Sequence, residues 1–207
     1  MHRVRRALQT DDVVELANGT RITSLARTAI DLAASRSLLG GIAAVSYALQ
    51  QGVDHALLAD GLRRLGPVTG VARARSALSR SSSGSESALE TLVVVRCQDY
   101  GFELPEQQRV VTGLDGRSYR VDFAWRGGQV LGEADGRSKY ADPALRDGRS
   151  AEEVVWAEKR REDALRPTCR SFIRFGWSDA WAGDALARRL ESAGVPRQRR
   201  RLAALTF

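Results

Sequence analysis

Asp122, Glu133 and Asp135 are the residues whose types and spacing point most directly to chemistry. Residues 118–126 lead into Gly127-Gly128, and residues 129–135 lead out. A Gly-Gly pair between two such runs signals a two-residue hairpin, because both central positions of a type I′ turn require positive φ. With Arg126 and Gln129 flanking the turn, antiparallel pairing sets Val130 opposite Trp125, Leu131 opposite Ala124 and Glu133 opposite Asp122. Opposed Cβ atoms lie about 4.5–5.5 Å apart, a separation at which like charges destabilise a sheet. A divalent cation turns that repulsion into a ligand set, since Mg2+ takes carboxylate oxygens and retains several waters. Two readings of Asp122 and Glu133 therefore stand: a metal site, or a solvated hairpin face screened by arginines. The same register pairs Arg120 with Asp135, so an ordinary ion pair also explains Asp135.

Glu133-Ala134-Asp135 places both acids on one side of a strand, where side chains alternate with period two. Lys139 follows four residues later. A carboxylate pair with a nearby lysine suits metal-dependent phosphodiester hydrolysis: the metal polarises the phosphate and acidifies a bound water, and the lysine offsets developing charge. The alternative for Lys139 is a surface lysine beside the Tyr140-Ala141-Asp142-Pro143 turn. Glu86 is read either as an auxiliary metal or water contact near Asp122, or as a helix cap. Ser83 to Glu86 and Ser87 to Glu90 both match the Ser-x-x-Glu capping box. Glu158-Lys159-Arg160-Arg161-Glu162-Asp163 is a charged helical turn, either a solvated face or a wall of the same cleft that contacts phosphates. Val154, Val155, Trp156 and Leu165 supply the expected buried side of that helix.

The only histidines, His2 and His55, have no matching nucleophile constellation, and the chain has no Gly-x-Ser-x-Gly, P-loop or dinucleotide fingerprint. Serine-hydrolase and nucleotide-cofactor readings are weak accordingly. A net charge of +7 favours a polyanionic partner such as nucleic acid. Of the 32 lysines and arginines, only Lys139 and Lys159 are lysines, and both lie near acidic clusters. Lysine is a compact, tunable point charge suited to contacting phosphate. Cys97 and Cys169 have no CxxC neighbours and read as reduced, buried thiols. No apolar run of spanning length and no signal-peptide pattern occurs, so a cytoplasmic protein is expected.

The elements that must position these residues follow from periodicity. Residues 12–16 read as a strand, Asn18-Gly19 as a turn and Thr23 as the N-cap of a helix over 24–32, with further helices at 42–50, 55–65 and 71–78. Residues 1–80 form a mainly helical domain with a short β segment, 81–85 a serine linker, 86–195 an α/β domain and 196–207 a basic tail. That tail is either a nucleic-acid contact or a solvated terminus. The second domain reads α-β-β-β-α-β-α: a helix from Glu86, strands at 107–112, in the hairpin and at 169–175, and helices at 151–165 and 179–193. This fits a mixed sheet flanked by helices. Trp177 and Trp181 are expected as core anchors of the last helix.

Three runs carry a family resemblance: Arg120-Val121-Asp122-Phe123-Ala124-Trp125, Glu133-Ala134-Asp135-Gly136-Arg137-Ser138-Lys139-Tyr140, and Glu158-Lys159-Arg160-Arg161-Glu162-Asp163. Together they resemble actinobacterial proteins whose C-terminal domain is similar to very-short-patch-repair endonucleases, within the PD-(D/E)xK restriction-endonuclease-like superfamily. The resemblance covers roughly residues 85–192. Residues 23–32 also look like the middle segment of those proteins, which are often described as AbiEi-type antitoxin relatives. The resemblance implies Asp122 and Glu133 as metal-binding acids and Glu86 as the helix-borne acid. Asp135 would stand where the motif lysine usually stands, and Lys139 would take over that lysine's role or cleavage would be lost. Such relatives often have an upstream winged-helix domain, and this chain is expected to start downstream of it.

Two functions are carried forward. The first is a DNA endonuclease using Mg2+, or Mn2+ in its place, with Arg120, Arg137, Lys159, Arg160 and Arg161 holding the nucleic acid. The second is a non-catalytic nucleic-acid-binding or antitoxin-like regulator, with a toxin as partner, that retains the fold.

Overall fold

A computed structural model of the chain describes residues 8–135 and 150–198. Eight α-helices, a four-stranded mixed sheet and a two-stranded sheet occur among the described residues. The chain divides into two compact units, Met1–Glu86 and Ser87–Phe207.

In the first unit, strands β1 (Val13–Glu15) and β2 (Arg21–Thr23) pair antiparallel around a turn in which Gly19 has φ +78°. Asp12 is not part of β1. It closes a 3-10 turn, Thr10–Asp12, and is buried against Arg27. Helices α1 (Leu25–Ser35), α2 (Leu38–Gln50), α3 (His55–Arg64) and α4 (Val71–Arg80) follow. The N-cap of α1 is Ser24 rather than Thr23, because the Ser24 hydroxyl accepts the Arg27 amide while Thr23 ends β2. The serine run after α4 is bonded to the first unit: Ser81 Oγ donates to Ala77 O, and Ser82 N–H donates to Ser46 Oγ.

In the second unit, α5 (Ala88–Tyr100) is capped by Ser87, whose hydroxyl accepts the Glu90 amide. Of the two capping boxes in the sequence the second is used, so Glu86 precedes the helix rather than opening it. Leu89, Leu92, Val93 and Cys97 are all buried. Strands β3 (Glu106–Thr112), β4 (Ser118–Trp125) and β5 (Val130–Ala134) form an antiparallel meander. Helix α6 (Ala151–Leu165) then leads to β6 (Ser171–Phe175), which pairs parallel with β5. Such a parallel pair needs a crossover connection, and α6 supplies it.

The hairpin register is Trp125–Val130, Ala124–Leu131 and Phe123–Gly132. Gly127 and Gly128 have φ of +65° and +95°, as the turn requires. Val121, Ala124, Leu131 and Leu165 build one core cluster. Phe123, Trp125 and Phe175 build an aromatic one, closed around Gly132, where a Cβ would meet the Trp125 ring at 2.9 Å. The Trp125 indole N–H donates to Glu103 O, so burial leaves no polar atom of that ring unpaired.

The single terminal helix expected over 179–193 is two, α7 (Trp177–Ala182) and α8 (Asp184–Ser192), separated by Gly183 at φ +71°. Trp177 and Trp181 are not core anchors. Ala180 is the buried residue of α7, which leaves the indoles 48% and 66% exposed. Val155 and Trp156 on α6 are exposed as well, and the Lys159 ammonium lies 5.7 Å from the Trp156 ring centroid. Arg197 belongs to the folded unit rather than to a free tail: it donates to Tyr100 O and Glu191 and lies over the Phe102 ring. No described helix is long and apolar enough to cross a membrane.

Candidate functional site

The register of the hairpin makes Asp122 and Glu133 the next pair after Phe123–Gly132, and there the backbone ladder gives way. Asp122 Oδ2 accepts the Ala134 amide at 2.8 Å, so the carboxylate of β4 takes a bond that a strand carbonyl would otherwise accept. On the other side of β4, Gln108 lies level with Asp122 between the pairs Gln107–Phe123 and Arg109–Val121. Gln108 has φ +54°, an uncommon conformation for a residue with a side chain. Its amide donates to Glu90 Oε2 at 2.9 Å, and Glu90 is buried on α5. Residues held in sparsely populated backbone regions cluster at functional sites. Glu90 had only a capping role in the sequence; in the structure it is buried and also bonded to Gln108.

Glu133 is 8% exposed. The parallel register places Arg174 of β6 beside it, and α6 brings Arg161 across its other oxygen. Arg174 also reaches Glu162 at 3.1 Å and Glu158 at 3.6 Å. Arg166 donates to Glu162 at 2.6 Å. Glu133, Glu158 and Glu162 thus share Arg161, Arg166 and Arg174 in one ion-pair network. Burial holds the Glu133 carboxyl above its ordinary range; Arg161 and Arg174 offset part of that effect, while Asp122 and Glu158 add to it.

Arg161 contacts Glu133 Oε1, yet that oxygen has no hydrogen-bond partner among the described residues. The guanidinium neutralises that oxygen as an ion pair rather than through an aligned hydrogen bond. Arg174 Nε is buried and likewise lacks a partner among the described residues. Two neighbouring carboxylates offer oxygen donors of the kind a divalent cation takes. Among the described residues, no three His, Cys, Asp or Glu side chains form a ready ligand group, so waters or phosphate oxygens would complete the shell.

Of the residues singled out in the sequence, Asp122 and Glu133 come together across β4 and β5, with Asp135 one residue beyond β5. The paired ladder stops before Arg120 and Asp135 would meet. Glu86 belongs to the first unit. Arg137 and Lys139 lie outside the described residues. Arg161, expected as a phosphate contact, is engaged with Glu133 and with the Arg120 carbonyl. Lys159 and Arg160 remain exposed on α6. Arg174 went unnoticed in the sequence because its role depends on the parallel β5–β6 register. Comparison with protein-family models, curated protein sequences and solved structures found no significant match.

Proposed function

We propose that the protein is a Mg2+-dependent DNA endonuclease. The observation that carries this reading is Asp122 accepting the Ala134 amide where the β4–β5 ladder gives way, which brings its charge to bear on buried Glu133. The order α5-β3-β4-β5-α6-β6, with β5 and β6 parallel, supports a restriction-endonuclease-like second domain. When bound, Mg2+ polarises the scissile phosphate and makes a hydroxide available near neutral pH. Asp122 and Glu133 hold that cation. Arg161 and Arg174 offset part of the burial that raises the Glu133 carboxyl. Lys159 and Arg160 hold the nucleic-acid backbone by charge, and Lys139 offsets developing charge, since by the resemblance Asp135 stands in the motif lysine's place.

A second reading has its own support. A guanidinium already lies against Glu133 Oε1, and Asp135 replaces the motif lysine; both favour a non-catalytic, nucleic-acid-binding regulator of the antitoxin kind, with a toxin as partner. Supercoiled and mismatched DNA incubated with Mg2+ or Mn2+ separates the two. Metal-dependent cutting supports the nuclease, whereas salt-sensitive binding without cutting supports the regulator.

A further inference from the structure

At the carboxyl ends of the parallel strands β5 and β6 a cleft of about 530 Å3 opens, lined by Asp135, Arg174, Trp177, Ser178, Asp179 and Arg189. Its size falls within the roughly 300–1,000 Å3 of small-ligand sites, and the ends of parallel strands are where open α/β sheets bind ligands. The Trp177 indole is half exposed on this cleft although an apolar ring gains by burial. Arg174 lines it from β6, with its Nη atoms paired to Glu133, Glu158 and Glu162. Arg189 is fixed beside it: Nη1 donates to Arg174 O at 3.2 Å, and Nε lies 3.2 Å from Asp179 Oδ1.

Two carboxylates and two guanidiniums line one cavity, so its charge nearly cancels. A bare anion would meet Asp135 and Asp179, and an apolar ligand would desolvate four ionised groups without compensation. A nucleotide matches the set. Its base offers a flat π surface to Trp177 and N–H donors to a carboxylate, while its phosphate takes guanidinium hydrogen bonds. Arg174 belongs both to this cleft and to the Glu133 group, which puts the cleft next to the proposed cutting site.

We infer that this cleft binds one nucleotide of the substrate strand adjacent to the scissile phosphodiester, with Trp177 stacking on the base and Arg189 holding its phosphate. The inference rests on the nucleic-acid reading of the Asp122–Glu133 site and adds to it an unstacked nucleotide as the recognised unit.

The test is calorimetric titration of the full chain, without metal, with deoxyadenosine 5′-monophosphate. Wild type should bind, and Trp177→Ala should bind about 5- to 150-fold more weakly, the range for loss of one base–aromatic stack. Trp177→Phe should recover most of the affinity, and Arg189→Gln should weaken binding and flatten its dependence on salt. Circular dichroism confirms folding, which an exposed tryptophan does not govern. No binding by wild type, or equal binding by wild type, Trp177→Ala and Arg189→Gln, overturns the inference. A parallel cleavage assay keeps the two ideas apart. Metal-dependent cutting with unchanged KM in Trp177→Ala rejects the cleft but not the nuclease, while nucleotide binding lost in Trp177→Ala without any cutting by wild type retains the cleft and rejects the nuclease.

Discussion

The guanidinium of Arg161, on α6, lies against Glu133 Oε1, on β5, without forming a hydrogen bond to it. Charge is compensated there by an ion pair. Removing Arg161 leaves a buried carboxylate with only the longer Arg174 contact. Arg161→Ala should therefore lower unfolding free energy by about 1–3 kcal/mol, the usual penalty for an unsatisfied buried group. Urea unfolding in EDTA measures it, and a change under a few tenths of a kcal/mol would show that the contact is incidental.

Glu133 should also give stability a specific pH dependence. Its ordinary value is 4.5, and burial raises it in the folded protein. Between those two values the native state holds a proton that the unfolded chain has lost, so stability falls as pH rises through that window. The contribution is complete below about 4.5 and gone above the raised value. In EDTA, the unfolding free energy of wild type minus that of Glu133→Gln should decline from pH 4.5 upward and then level off. A difference that stays flat or grows with pH contradicts the assignment.

Glu90 should act as a positioning residue through Gln108. Its Oε2 accepts the Gln108 amide, which secures a residue at φ +54° level with Asp122. Glu90→Ala should cost about 1–3 kcal/mol by stranding that amide. If the strand conformation serves the site, Glu90→Gln should restore stability more fully than activity. Equal recovery of both would confine Glu90 to a structural role.

In the first unit, Arg27 bonds Asp12 at 2.7 Å and Asp31 at 2.9 Å, with Arg27 and Asp12 both buried. Burial works against the Asp12 carboxylate, but the Gln9 amide together with Arg27 and Arg64 outweighs it and holds the carboxyl below its ordinary range. Arg27→Met should destabilise by about 3–5 kcal/mol, because it leaves a buried charge short of its partner. The Asp12 contribution is present above 3.8 and lost as pH falls through the lowered value, so the gap between wild type and Asp12→Asn should narrow toward acid. A gap that widens toward acid would reverse the assignment.

The hairpin was legible because its signals are local: Gly127-Gly128 sets the turn, and alternation sets the register that brings Asp122 to Glu133. The start of α5 was legible only to within one capping box, since Ser83–Glu86 and Ser87–Glu90 carry the same pattern and the choice between them depends on packing. Arg161 and Arg174 were beyond sequence reading as partners of Glu133, because both depend on α6 crossing back to lay β6 parallel to β5. Trp177 and Trp181 show the limit of periodicity, which puts them on one face of a helix without saying whether that face is covered.

We propose that Asp122 and Glu133 together hold a divalent cation. Calorimetric titration of the metal-free chain with Mn2+ addresses it directly, with Asp122→Ala and Glu133→Ala titrated alongside. The account predicts one Mn2+ per wild-type chain, displaced by excess Mg2+ and lost in both variants. Absence of binding by wild type, or equal affinity in either variant, would contradict it.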